Sequence, residues 1–181
     1  MKHSIILLLV GMLMYSCANM AARKPISRKT TSGMNESVRY NKSLNAAEEN
    51  AISLFIKNDS LNTYIASPNG FWYKYNTRVE GNYLPKVGDK VFFDFEVLNI
   101  DNSTIYKKNE LGEQEYFVDE QEIVEGLRHG LKLMNVGDNV TFLFPSHIVY
   151  GFAGDNNKIG INQSLIYKVQ LNKINKKNEG N

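Results

Sequence analysis

Cysteine is nearly absent from this chain: its 181 residues hold one, Cys17. A lone thiol closes no internal disulfide. Histidine is almost as scarce, and His129 and His147 have no cysteine to join them in a zinc site. Asp155-Asn156-Asn157 lacks the further carboxylates a cation loop needs and reads as a turn. No metal and no cofactor is therefore expected. Charge of one sign is lacking too. A net charge of +2 is too small to draw nucleic acid or an acidic partner. There is no glycine-rich phosphate loop, no internal repeat and no apolar run long enough for a permanent membrane span. What is present is ordinary: 43% hydrophobic and 22% charged residues suit one globular domain with appendages.

The first appendage is a leader. Lys2 and His3 precede the apolar run Ile5–Met14, and the small Ser16 stands just before Cys17. This is the order of a secretory signal and its cleavage site. Met14-Tyr15-Ser16-Cys17 resembles a bacterial lipobox, although Leu and a small residue are more usual where Met14 and Tyr15 stand. The resemblance implies that residues 1–16 are a signal peptide and that Cys17 carries the lipid. Residues 17–33 then form the lipidated N-terminus and a basic, Ser/Thr-rich solvated linker. Acyl chains contribute about 0.8 kcal/mol per buried methylene, so several on one residue anchor stably. The expected location is the cell envelope, at the outer membrane facing the periplasm.

Residues 34–68 read as an N-terminal helical segment. Tyr40, Leu44, Ala47, Ala51 and Phe55 recur at spacings of four and three and share a face. Glu36 and Glu48-Glu49 fall on the other sides. Asn35 is the expected N-cap and Asn58-Asp59 the stop. The stripe predicts packing on the domain that follows, the default, or pairing with a second chain.

Residues 69–175 turn to strands. Phe71–Tyr75 is aromatic and β-prone, and Val91, Phe93, Phe95 and Val97 alternate. Ile105-Tyr106, Tyr116–Val118, Val140–Phe144 and Leu165–Leu171 read as further strands. Gln121–Leu133 has helical spacing, weakened by Gly126 and Gly130. Val87-Gly88-Asp89 and Val136-Gly137-Asp138 are turns, and residues 176–181 are a polar tail. The sum is an α+β fold: a twisted antiparallel sheet wrapped on one short helix, with another helix ahead of it.

Several pieces taken in order carry a family resemblance. Val87-Gly88-Asp89 precedes the first long strand, Glu122-Ile123-Val124-Glu125-Gly126 opens the helix, and Val136-Gly137-Asp138 follows it. Pro145 is succeeded by Tyr150-Gly151, and Ile159-Gly160-Ile161-Asn162 comes last. From about Gly70 to Ile174 the chain resembles the FKBP-type peptidyl-prolyl isomerase domain. The leading helix, Asn69–Tyr73 and the tract Tyr150–Gly160 further resemble the gliding-motility-associated isomerase lipoproteins of the Bacteroidetes.

The resemblance implies a fold, a reaction and a pocket. Rotation about an X–Pro bond faces a barrier of roughly 18–20 kcal/mol and takes tens to hundreds of seconds unaided. No covalent bond breaks, so no nucleophile or metal is required. A pocket that favours the twisted imide suffices, and a ~10⁴-fold gain takes about 5.5 kcal/mol. By position, the catalytic residues would be Tyr150, Phe95 and Tyr106, with Tyr150 supplying a hydroxyl donor. Ile105, Ile123, Val124, Leu127, Ile159 and Tyr167 would bind substrate, with the backbone N–H of Val124 as a second contact. Three positions depart from the family pattern. Leu127 stands where Trp is common, Tyr106 where Asp is common, and Gln114 near an aromatic wall position. These departures imply modest activity and weak binding of macrolide-type inhibitors. The implied partners are proline-containing polypeptides among exported or motility-related proteins. The rival reading is a non-catalytic peptide-binding or chaperone module of a gliding-motility or secretion assembly.

Overall fold

The computed structural model describes residues 31–81 and 83–177. The signal peptide, Cys17, most of the linker and the end of the tail lie outside the described residues. The chain divides into two units, Met1–Glu36 and Ser37–Asn181. Everything below, apart from the first turns of the leading helix, belongs to the second.

That helix, α1, spans Thr31–Asn58. It begins ahead of Asn35, which is therefore an interior residue and not the N-cap. Thr31–Met34 contain no proline, and once nucleated a helix extends into tolerant neighbours. Its stop at Asn58 is where the sequence places it.

The strands are β1 (Ile65–Ser67), β2 (Phe71–Thr77), β3 (Lys90–Asn99), β4 (Thr104–Tyr106), β5 (Gln114–Phe117), β6 (Asn139–Phe144) and β7 (Leu165–Asn175). A one-turn helix α2 (Lys108–Leu111) precedes β5, and α3 (Glu125–Leu131) lies between β5 and β6. The expected helix over 121–133 is thus shorter at both ends, and β1 and α2 were not anticipated. All pairings are antiparallel, in the order β1-β2-β6-β7-β3-β4, with β5 also on β3. The sheet begins at Ile65, ahead of the boundary drawn at residue 69.

Alternation along the strands sends side chains to two faces. On one face Phe71, Val91, Phe93, Val97, Phe142, Phe144 and Tyr167 form the main core with Leu127 and Leu131 of α3. On the other, Leu98, Leu143 and Ile166 form a smaller cluster with Ile52 of α1. The result is one sheet with a short helix on one face and a long helix on the other, an α+β fold as expected.

The face of α1 that docks differs from the stripe read in the sequence. Tyr40 and Ala47 are exposed, whereas Glu48 and Ile52 are buried and Leu44, Ala51, Phe55 and Ile56 half-buried. The sequence pattern places Glu48 on another side of the helix. In the fold one of its carboxylate oxygens accepts the backbone N–H of Ser146 at 3.0 Å, while the other is buried without a partner.

The two Val-Gly-Asp turns also have a physical basis. Gly88 and Gly137 take φ of +85° and +93°, which a side chain resists. Each following Asp is buried and accepts backbone N–H groups: Asp89 from Lys86 and Lys177, Asp138 from Val79 and Asn135. Asp89 also accepts the Tyr83 hydroxyl. Burial works against the Asp89 charge, but these donors outweigh it and hold the carboxyl below its ordinary range.

Candidate functional site

On the α3 face the sheet leaves an open cleft of about 500 Å³. Its floor follows from strand period. Phe93 and Phe95, two apart on β3, point the same way and stack with centroids 5.8 Å apart. Phe95 in turn stacks on Tyr167 of β7 at 5.5 Å and 11°. Tyr167 meets Phe144 of β6 at 5.4 Å. Leu127 of α3, 2% exposed, completes the floor. One wall is Gln114 and Tyr116 of β5, again two apart. The other is Ile123 and Val124 at the entry to α3, with Tyr150 from the β6–β7 loop. No side chain caps the first turn of α3, whose N-cap is Val124. Glu115, Gln121 and Glu122 make a polar rim. The volume suits a small apolar ligand group with a few placed polar contacts.

The structure therefore brings Phe95, Ile123, Val124, Leu127, Tyr150 and Tyr167 together around one cavity. Ile105, Tyr106 and Ile159 do not line it. Ile105 and Tyr106 are half-buried against the same core, and Ile159, from the β6–β7 loop, is buried in it. Phe93, Tyr116 and the polar rim were missed. Phe93 reads as core by alternation, and the signal for Tyr116 was its place two residues after Gln114 on one strand. Gln114 itself is engaged, its side-chain amide donating to the Leu111 carbonyl at 2.8 Å.

Tyr106 has another task. Its hydroxyl donates to Asp155 Oδ2 at 2.5 Å and accepts from the Asn157 side chain at 3.0 Å. The other Asp155 oxygen accepts the backbone N–H of Asn157 and of Ile159, each at 2.8 Å. Asp155 thus makes the turn expected of it and fastens the loop to β4. Lys158 sits over the Tyr106 ring at 4.7 Å and pairs with Glu110 of α2. Burial pushes the Asp155 carboxyl up, but the Tyr106 hydroxyl and the two backbone donors bring it below its ordinary range. The same hydrogen bond, with burial behind it, raises the Tyr106 phenol.

Tyr167 carries the one polar atom at the floor. Its side chain is fully buried and its hydroxyl has no hydrogen-bond partner. Burial first, then the neighbouring Tyr150 hydroxyl and the Asp155 charge, push this phenol far up, so it stays protonated.

A larger hollow of about 660 Å³ lies on the opposite face, between α1 and the β3–β4 turn. Asn58, Asp59, Asp101 and Asn102 wet its walls, and it has no aromatic floor of stacked rings. Among the described residues no cluster of His, Cys, Asp and Glu could hold a metal ion, and no helix is long and apolar enough to cross a membrane.

Comparison with known proteins agrees with this geometry. Residues 81–172, just over half the chain, match the family described as FKBP-type peptidyl-prolyl cis-trans isomerase. The chain is also 30% identical over 105 residues to "Probable FKBP-type peptidyl-prolyl cis-trans isomerase FkpA" of Neisseria meningitidis serogroup B (strain ATCC BAA-335 / MC58). That stretch is 58% of this chain and 38% of the relative, so the chain matches well under half of the relative's length.

Proposed function

The chain belongs to the FKBP-type peptidyl-prolyl cis-trans isomerase family, and on that premise we propose that it is a prolyl isomerase tethered at the cell envelope by a lipid on Cys17. The observation that carries the reading is the cleft: an aromatic and aliphatic floor with the Tyr150 phenol at one wall, across from Tyr116, whose hydroxyl oxygen accepts the Asp119 N–H. A pyrrolidine ring enters over Phe95, Leu127 and Tyr167. Removing water from the imide weakens the preference for the planar, conjugated form, which favours the twisted one. Tyr150 donates to the backbone carbonyl beside the proline, and the Val124 N–H makes a second contact. Leu127 offers less surface than an indole, which supports modest turnover and weak macrolide binding.

The test is a protease-coupled assay of an X–Pro peptide with the full chain in mild detergent. Acceleration over the uncatalysed rate is expected, with Tyr150→Phe lowering kcat/KM about threefold to tenfold. A folded chain that binds the peptide without accelerating it would favour the non-catalytic binding module.

The proposed organisation is a signal at 1–16, a lipidated linker at 17–33, a helical segment at 34–68, the isomerase domain at 69–175 and a polar tail at 176–181. The single cysteine directly behind a signal supports the anchor. Cys17→Ser is expected to move the protein from the membrane pellet to the soluble fraction. Its clients would be exported polypeptides. Likeness to the gliding-motility-associated lipoproteins of the Bacteroidetes adds a motility role at the outer membrane, facing the periplasm. Deletion of the gene should then reduce spreading, restored by the wild-type chain and not by Cys17→Ser.

A further inference from the structure

The Tyr167 hydroxyl is buried at the cleft floor with no partner in full hydrogen-bond geometry, although the Tyr150 hydroxyl lies near enough to act on it as a looser hydrogen-bond contact. A stranded hydroxyl costs stability, and phenylalanine would fill the same ring position without it. Its surroundings limit what it can do. The ring is held between Phe95 and Phe144. The groups that raise its pKa, besides burial, are the hydroxyl of Tyr150 beside it, the Asp155 carboxylate and the Tyr106 phenol. Tyr106 and Asp155 are already bonded to each other. Tyr150 is the neighbour left for Tyr167 to engage.

We propose that Tyr167 is a positioning residue for the isomerase reaction: its hydroxyl donates to the Tyr150 oxygen and so aims the Tyr150 hydrogen at the substrate carbonyl. The inference rests on the proposed function of the cleft. Hydroxyl arithmetic sets the direction. Each phenol has one hydrogen to give and can also accept. Were Tyr150 to donate inward to Tyr167, the cleft would lose its donor, and the Tyr167 hydrogen would stay unbonded in a buried place. With Tyr167 donating outward, both hydrogens are used and the bonds polarise one another in a chain ending on substrate. The two hydroxyls are neighbours short of full hydrogen-bond geometry, and catalytic contacts of this kind tighten in the substrate complex. The Tyr167 ring forms part of the floor, but its buried hydroxyl acts through Tyr150.

The experiment is a double-substitution cycle in the X–Pro peptide assay on the full chain, with folding followed by circular dichroism. Tyr167→Phe is expected to lower kcat/KM about threefold to tenfold. In a Tyr150→Phe background the same change is expected to have no further effect, because the aimed hydrogen is already gone. No loss in the wild-type background, or an equal loss in both, would overturn the proposal while leaving the isomerase reading intact. A wild-type chain with no activity would overturn both. Should Tyr167→Phe fail to fold, proton NMR of the unsubstituted chain decides with substrate peptide bound. A slowly exchanging Tyr167 hydroxyl resonance with a cross-peak to the Tyr150 hydroxyl is expected, and a hydroxyl in rapid exchange with water would overturn the relay.

Discussion

Tyr106 and Asp155 show how one residue's role depends on a partner far along the chain. The phenol stands where the family resemblance leads one to expect Asp, and it meets a carboxylate 49 positions away, in the β6–β7 loop. No local pattern announces such a pair, so Tyr106 was legible as a departure but not as a loop fastening. Its titration behaviour follows from the shifts. Asp155 is held below its usual value near 3.8, so the stability it contributes is present above that pH and is lost as pH falls through the depressed pKa. Tyr106 is raised above its usual value of 10, so its share is present below pH 10 and lost as pH rises through the raised pKa. The tie should be constant across the neutral range. Asp155→Asn removes the charge, and the melting-temperature gap between wild type and variant is expected to be flat from about pH 5 to 9 and to narrow below about pH 4. A gap that instead changed around pH 6 to 7 would show that another group controls the loop.

At the scale of elements, α3 turns an apparent weakness into a packing device. Gly126 and Gly130 lower helix propensity, and the expected helix shrank to Glu125–Leu131 accordingly. Yet the two glycines lie one turn apart and face the sheet. A methyl group on Gly126 would sit 2.9 Å from the Phe144 ring, and one on Gly130 would sit 3.0 Å from Phe142. Both rings are fully buried and stacked on each other at 5.4 Å, so neither can give way. The helix can therefore lie directly on the rings behind the cleft floor. Gly126→Ala gains about 1 kcal/mol in propensity but overpacks the core at about 1–3 kcal/mol. The net expectation is lower stability in chemical denaturation, by up to about 2 kcal/mol. A more stable Gly126→Ala variant would mean the helix is free to shift off the sheet. Sequence alone set the helical spacing but could not tell a glycine that loosens a helix from one that seats it, because the difference lies in a ring on another strand.

Across the whole molecule the sheet was readable from alternation, since Val91, Phe93 and Val97, or Leu165, Tyr167 and Val169, declare a buried face wherever one exists. What alternation could not supply was the second buried face. Leu98, Leu143 and Ile166 look outward in a two-layer reading, and they are buried only because α1 covers them. The same omission put Glu48 on the wrong side of α1. That residue now links the two faces: its carboxylate reaches Ser146, at the root of the loop that carries Tyr150, while Ile52 on the next turn only fills the back cluster. The two contacts should separate in experiment. Ile52→Ala leaves a cavity and is expected to cost about 2–5 kcal/mol, raising amide exchange through global unfolding alone. Glu48→Ala strands the buried Ser146 N–H at about 1–3 kcal/mol and is expected to speed exchange locally over residues 146–151, with a matching fall in isomerase rate. Glu48→Gln keeps an acceptor and should preserve most of that protection. If both alanine variants raised exchange over the same residues in proportion to lost stability, the helix would be a cover for the sheet and nothing more. A local signature confined to Glu48 would make α1 part of the support on which the Tyr150 loop stands.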